Sequence, residues 1–327
     1  MWKLIAFIQK NLTWSIPVFM IVGFIYGLVF KNSSLKILIL PLSFLMVYPM
    51  MVNLQLRSIL SNSDKKVQVV AQIINFLIIP FVAFTIGKIF FPNNSYLALG
   101  LLLTALLPTS GMTISWTGFA KGNINAAIKM TVIGLILGSL LTPLYIKILM
   151  GTVIEIPILD IFKQIIIIVF LPMIMGQLTQ KILKNKYGEK EYNKGIKQKF
   201  PMISTLGVLG IVFVAMASKA NSIMSNPITL INLLIPLFIL YIINFLISTF
   251  LGRYLFERND AIALVYGTVM RNLSIALAIA MTVFGNKGSD IALIIAVAYI
   301  IQVQAGAWYV KFTDKLFGSL NTTLENQ

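Results

Sequence analysis

Cysteine and histidine are both missing from this 327-residue chain. Without cysteine there can be no disulfide and no thiolate metal site. Without histidine the commonest metal ligand is gone, together with the one side chain that ordinarily titrates near neutrality. Charge is scarce too: 11% of residues are charged and 58% are hydrophobic, against roughly a quarter charged in a soluble domain. So little polar surface cannot cover a water-soluble globule of this length, and apolar runs of about twenty residues recur throughout. The solvent is a lipid bilayer. Acidic residues are rarest, 10 against 26 Lys plus Arg, for a net charge of +16. That excess does not indicate nucleic acid, because the basic residues sit in short stretches between apolar runs and form no stripe on a polar module. The basic, amphipathic start, Met1 to Asn11, has no small-residue cleavage site after the first apolar run and reads as retained. No cofactor or metal is expected.

What is present is an all-α membrane pattern. Apolar runs separated by polar or Gly/Pro breaks give ten spans, at about 13–31, 35–52, 67–91, 96–120, 124–150, 160–183, 200–219, 227–252, 259–285 and 289–312. Seventeen Lys and Arg fall on the face that carries the N-terminus, among them Arg57, and seven on the other, among them Lys31 and Lys36. The positive-inside rule places both termini in the cytoplasm, in what reads as a bacterial plasma membrane. The chain divides into 1–183 (spans 1–6), a basic, solvated cytoplasmic connector at 184–199, and 200–327 (spans 7–10). Ten spans split five and five, and an odd number per half inverts the second half relative to the first. The string Ile-Ile-Asn-Phe-Leu-Ile occurs at 73–78 in the third span and again at 242–247 in the eighth, which are corresponding positions in two inverted repeats.

The fourth span is interrupted at Leu107-Pro108-Thr109-Ser110-Gly111, and the ninth at Tyr266-Gly267-Thr268-Val269-Met270-Arg271-Asn272. Proline removes a backbone donor and glycine tolerates non-helical angles. The exposed backbone groups must then face protein or a wet cavity. Paired breaks in two inverted halves point to a transporter site at mid-membrane. Around them lie Thr109, Ser110, Gly111, Thr113, Trp116, Thr268, Arg271, Asn272, Ser274 and Gln302 as candidate substrate contacts. Gln72, Asn75, Asn244 and Gln304 read as polar support, since amides hydrogen-bond well across helices. Serine and threonine can equally bond back to their own helix, and Trp116 serves either packing or a wall of the site. Lys129 lies two turns into its span and can snorkel to the interface. Arg271 cannot: a guanidinium stays charged and costs about 2.5–3.5 kcal/mol at a helix centre. All ten carboxylates lie in loops or at span ends, so Arg271 is held either by carbonyls of the broken half-helices or by an anionic substrate, and the two readings are compatible.

At these breaks a resemblance enters. Leu99-Gly100-Leu101 through Ala120-Lys121-Gly122-Asn123, with Met112, Ile114 and Trp116 between, resembles the fourth helix of arsenite permeases in the bile-acid:sodium symporter superfamily. Met46-Val47-Tyr48-Pro49, Gln72–Pro80, Ala276–Gly285 and Gln302-Val303-Gln304 resemble its second, third, ninth and tenth helices. The resemblance implies ten helices in two inverted five-helix repeats, broken helices 4 and 9 crossing at mid-membrane, and a core domain (helices 3–5, 8–10) moving against a panel (helices 1–2, 6–7). It also shows losses. The position of the permeases' helix 4 cysteine is Thr109, and that of their helix 9 carboxylate is Ser274. Where sodium-coupled relatives carry Glu-x-Gly-Met-Gln-Asn, this chain has Gly267, Val269, Met270, Arg271 and Asn272. A soft thiolate for trivalent arsenic is gone, and a fixed guanidinium repels sodium. The expectation is a secondary transporter of a small anion or oxyacid, arsenical-resistance-like efflux or organic anion transport, sodium-independent with Arg271 in place of a bound cation. A sodium-coupled organic anion symporter is the alternative. A non-transporting receptor would want an appended soluble domain, and an intramembrane enzyme a nucleophile–base pair that His, Cys and buried carboxylates cannot supply here.

Overall fold

A computed structural model describes residues 2–30, 35, 37–56, 64–152, 158–225 and 228–318. Lys31, Lys36 and Arg57 lie outside the described residues. In chain order the long elements are α1 (Trp2–Lys10), α2 (Leu12–Val29), α3 (Ile39–Val52), α4 (Lys65–Ile73), α5 (Ile79–Phe90), α6 (Ser95–Leu106), α7 (Gly111–Phe119) and α8 (Ile124–Met150). After them come α9 (Ile158–Ile165), α10 (Leu171–Tyr187), the single turn α11 (Glu189–Glu191), α12 (Lys197–Ser225), α13 (Ile228–Leu255), α14 (Arg258–Val269), α15 (Leu273–Val283), α16 (Gly288–Val310) and α17 (Thr313–Phe317).

Two of the spans carry a wide π-helical turn with a local cause. Ile74–Ile78 joins α4 to α5 just ahead of Pro80, and Ile166–Phe170 joins α9 to α10 just ahead of Pro172. Each proline lacks the N–H that would close a normal turn, and the wider turn absorbs the mismatch without ending the span.

Among the described residues, six helices are long and apolar enough to cross a membrane, or seven if the bent pair Trp2–Gln9 and Trp14–Val29 is one span. Ile39–Val52, Ser95–Leu106 and Leu273–Val283 are apolar but shorter. A count of ten therefore depends on taking α6 with α7, and α14 with α15, as broken spans. The connector at 184–199 differs from the loop expected. Its lysines are mostly exposed, but α10 runs on to Tyr187, Gly188 reverses the chain at φ +80°, and helix resumes at once. A positive φ costs glycine nothing. Tyr192 beyond the turn is buried and donates to Asn53 Oδ1 at 3.1 Å.

The helices pack in two sets. α12 lies along α2 and α3, and α3 along α10. In the other set α6 packs on α5 and α16, α15 on α16, α14 on α13 and α8, and α7 on α8. The innermost stretches, Leu99–Leu107 and Ala261–Ala280, are buried throughout. At one end of this second set Asn123 donates to Asp64 Oδ1 at 3.0 Å and to Asp260 Oδ1 at 2.7 Å, tying the starts of α4, α8 and α14 together. Lys129 belongs to that cluster. It is 4% exposed and pairs with Asp64 at 3.0 Å, so it does not snorkel. A carboxylate folded onto it removes the reason to reach water.

Candidate functional site

The two breaks meet. Pro108 and Arg271 form an isolated antiparallel bridge, with Thr109 N–H donating to Met270 O and Asn272 N–H to Leu107 O, both at 2.8 Å. Each strand of this crossing satisfies backbone groups that the other's missing helical turn leaves open. The first break is written locally. Pro108 forces Leu107 out of the helical region, Thr109 takes φ +64°, and Ser110 restarts the chain with a capping box shared with Thr113. Its hydroxyl accepts from Met112 N–H, and Thr113 Oγ1 accepts from Ser110 N–H. The second break has no proline. It is held open by Gln302, whose Oε1 accepts from Arg271 N–H at 2.8 Å and whose Nε2 donates to Arg271 O at 3.1 Å. Tyr241 donates to the same Oε1 at 2.9 Å.

Gly267 is not part of that break, contrary to expectation. It lies inside α14, where a β-carbon would collide with Met130 of α8, so its role is close approach. The interruption falls at Met270–Asn272, and Asn272 caps the restart by accepting from Ile275 N–H.

The asparagines of the two Ile-Ile-Asn-Phe-Leu-Ile strings both brace α14. Asn75 donates to Gly267 O at 3.0 Å and Asn244 to Thr268 O at 2.9 Å, capping adjacent carbonyls at the C-terminal end of that half-helix. The equivalent end of α6 is served by Arg271, whose Nη1 donates to Ala105 O at 3.1 Å. Arg271 is 3% exposed, and its Nη2 has no hydrogen-bond partner among the described residues.

A cavity of about 570 Å³ opens beside the crossing, between α3 and α12 on one side and α7, α8 and α15 on the other. Ser110, Gly111, Arg271, Asn272 and Ser274 line it. Thr109, Thr113, Trp116, Thr268 and Gln302 do not. Thr109 turns its hydroxyl to Pro108 O at 2.6 Å, and Thr268 bonds Leu264 O and Ser248. Trp116 packs on Gly306, edge-on to Phe119. Of the supporting amides, Gln72 has both polar ends buried without a partner among the described residues, and Gln304 is half-buried on α16.

Several wall residues escaped sequence reasoning. Tyr299, whose hydroxyl hydrogen-bonds Ser274, lies three residues before Gln302 on α16. That i, i+3 spacing puts both on one helix face, a signal that was there to be read. Met50, Met51, Ser204 and Thr205 on α3 and α12 also line the cavity. Nothing in their sequence neighbourhoods marks them, because they are brought in from the other helix set. Ser204 and Thr205 bond Met46 O and Pro201 O on their own set of helices. The polar end of the cavity is thus built by the crossing, while Met50, Met51, Leu54, Met112, Val132 and Leu135 make much of its walls apolar.

The crossing presents both restarting half-helices, α7 and α15, by their N-termini at the cavity. Helix N-termini carry partial positive charge and unpaired N–H groups, and the guanidinium adds a full one. An anion suits this end. A hard cation does not, since the donors there are neutral oxygens beside a fixed positive charge. Among the described residues no group of His, Cys, Asp or Glu could hold a metal ion.

Residues 39–226 match the Sodium Bile acid symporter family. The chain is 26% identical to Arsenical-resistance protein Acr3 of Alkaliphilus metalliredigens, over 96% of this chain and 94% of that one. It is 27% identical to Sodium/bile acid cotransporter 7 of Xenopus tropicalis, over 60% of this chain and 57% of that one. A transporter of Synechocystis is 25% identical over 80% and 74%.

Proposed function

The chain belongs to the Sodium Bile acid symporter family, and we propose that it carries a small anion across the membrane without sodium, with Arg271 as a built-in cation. The observation that carries this reading is the buried guanidinium at the crossing. One edge holds the Ala105 carbonyl, and the other has no partner among the described residues, in a side chain that lines a cavity entered by two helix N-termini. A charge held this way costs little reorganisation when an anion arrives, and an anion removes the penalty of the unpaired N–H. The head group would be gripped by the crossing alone. It would then travel with the second helix set as that set, the core, shifts against α2, α3, α10 and α12. The positive-inside reading puts both termini, and the cavity mouth near Gln9 and Lys197, in the cytoplasm. For export of a monoanion the membrane potential supplies about 2.3 kcal/mol per 100 mV, roughly a fifty-fold gradient.

Arsenical efflux is favoured as the cargo reading by similarity along 94% of the Alkaliphilus protein. The absence of cysteine directs that reading to an oxyanion and away from thiolate capture. Proteoliposomes settle the coupling. Saturable flux of arsenate or a small organic carboxylate is expected to be equal in sodium and choline buffers, and to fall at least about tenfold in Arg271→Gln, the loss of one charged hydrogen bond. A strict sodium requirement would overturn it.

A further inference from the structure

We propose that Lys219 and Asp290 form a latch that keeps the face opposite the cavity mouth closed. Their Nζ and Oδ1 atoms are 2.6 Å apart. The pair joins the two helix sets, Lys219 from α12 and Asp290 from the start of α16, whereas Lys129–Asp64, Lys184–Glu189 and Arg258–Asp314 each stay within one set. This inference rests on the transport reading, in which the two sets move apart.

Position along the helices separates the latch from the cavity. On α12 the lining ends at Val208, and Lys219 lies eleven residues further on, about 16 Å at the helical rise. On α16 the lining residue is Tyr299, and Asp290 lies nine residues before it, about 14 Å. Both routes therefore lead past the cavity floor to the far face. Val212 and Ala215 stand seven and four residues before Lys219, on the same helix face, and both are fully buried. They form an apolar plug between cavity and ion pair, where α12 packs on α16.

The pair is suited to opening. The side chains are 17% and 23% exposed, so each charge can be rehydrated as the helices part, and the loss is small and reversible. The Lys129 side chain, 4% exposed in its pair with Asp64, has no such route and holds one set together permanently. An apolar plug alone would resist separation without preferring one state. A charge pair at its rim adds a preference for the closed one that is weak enough to be overcome in each cycle.

A chain without cysteine makes the test direct. Ala215→Cys is introduced into the full chain, and its labelling by a membrane-impermeant maleimide is followed in vesicles of both orientations, with no substrate present. We expect slow labelling in the otherwise native chain. Labelling should be about fivefold faster, from the face opposite the mouth only, when Lys219→Ala or the milder Asp290→Asn is added, the change that an exposed pair near the top of its usual range supplies. The charge swap Lys219→Asp with Asp290→Lys should restore the slow rate. Equal rates in all these chains, or a swap as fast as the single variants, would overturn the latch. Labelling of Ser115→Cys in the cavity wall from the other face reports that each variant is folded. Flux measured separately tests transport itself, so the latch and the transport reading can fail independently.

Discussion

At the residue scale the arginine at the crossing does two jobs that no other side chain can combine. A planar guanidinium can donate from one edge to Ala105 O and still present Nη2 elsewhere, while a lysine would concentrate its charge at a single point. Gln302 is the less obvious member. Its amide mimics a neighbouring strand for one peptide unit, bonding both the N–H and the C=O of Arg271, and it does not line the cavity. Gln302→Leu should therefore act through position. It orphans two buried backbone groups at about 1–3 kcal/mol each, so the melting temperature in detergent should fall together with the maximal flux. A rise in KM at unchanged melting temperature would instead make Gln302 a direct contact.

At the element scale the half-helices are held by what reaches their ends. α14 is capped by Asn75 and Asn244, α6 by the arginine, and the crossing packs against Gly134 and Gly138 of α8, where a β-carbon would strike Thr109 and Pro108. At the other end, Asp64, Asn123, Lys129 and Asp260 fasten α4, α8 and α14. Lys129 is 4% exposed and Asp64→Ala takes away its carboxylate partner, so that variant is expected to destabilise the protein by about 3–5 kcal/mol. Asp64→Leu with Lys129→Met removes both charges and should cost clearly less. Thermal melts of the single and double variants check this, and a double variant as unstable as the single one would show that packing, and not the charge, is what Asp64 supplies.

For the whole molecule, in the transport reading the cavity is open near Gln9 and Lys197 and shut beyond Val208 and Tyr299, where α12 packs on α16. In the topology proposed from the charge count, the open side would face the cytoplasm. Ser115→Cys should accordingly react with an impermeant maleimide in inside-out vesicles and be spared in right-side-out ones, and a transported anion should slow the reaction. Labelling from the outer side would reverse the topology.

The bilayer as solvent, the positions of the apolar spans and the break at Pro108 are properties of local composition and backbone chemistry, and they were legible in the sequence alone. So was Arg271 as the residue to explain, because a lone cation in an apolar run is conspicuous wherever the chain goes. The second break reads from the sequence as the whole stretch Tyr266–Asn272, wider than it is, because Gly267 is a breaker in the abstract. Its true position, Met270–Asn272, is set by Gln302 and by the backbone of Leu107 and Thr109, partners more than thirty residues away that local propensity cannot see. Lys129 was misread for the same reason, since its partner Asp64 is 65 residues distant. The cavity walls on α3 and α12 and the Lys219–Asp290 pair exist only where the two helix sets meet. Which residues lie along a helix is written in one dimension. Which helix ends satisfy one another across the fold is decided in three.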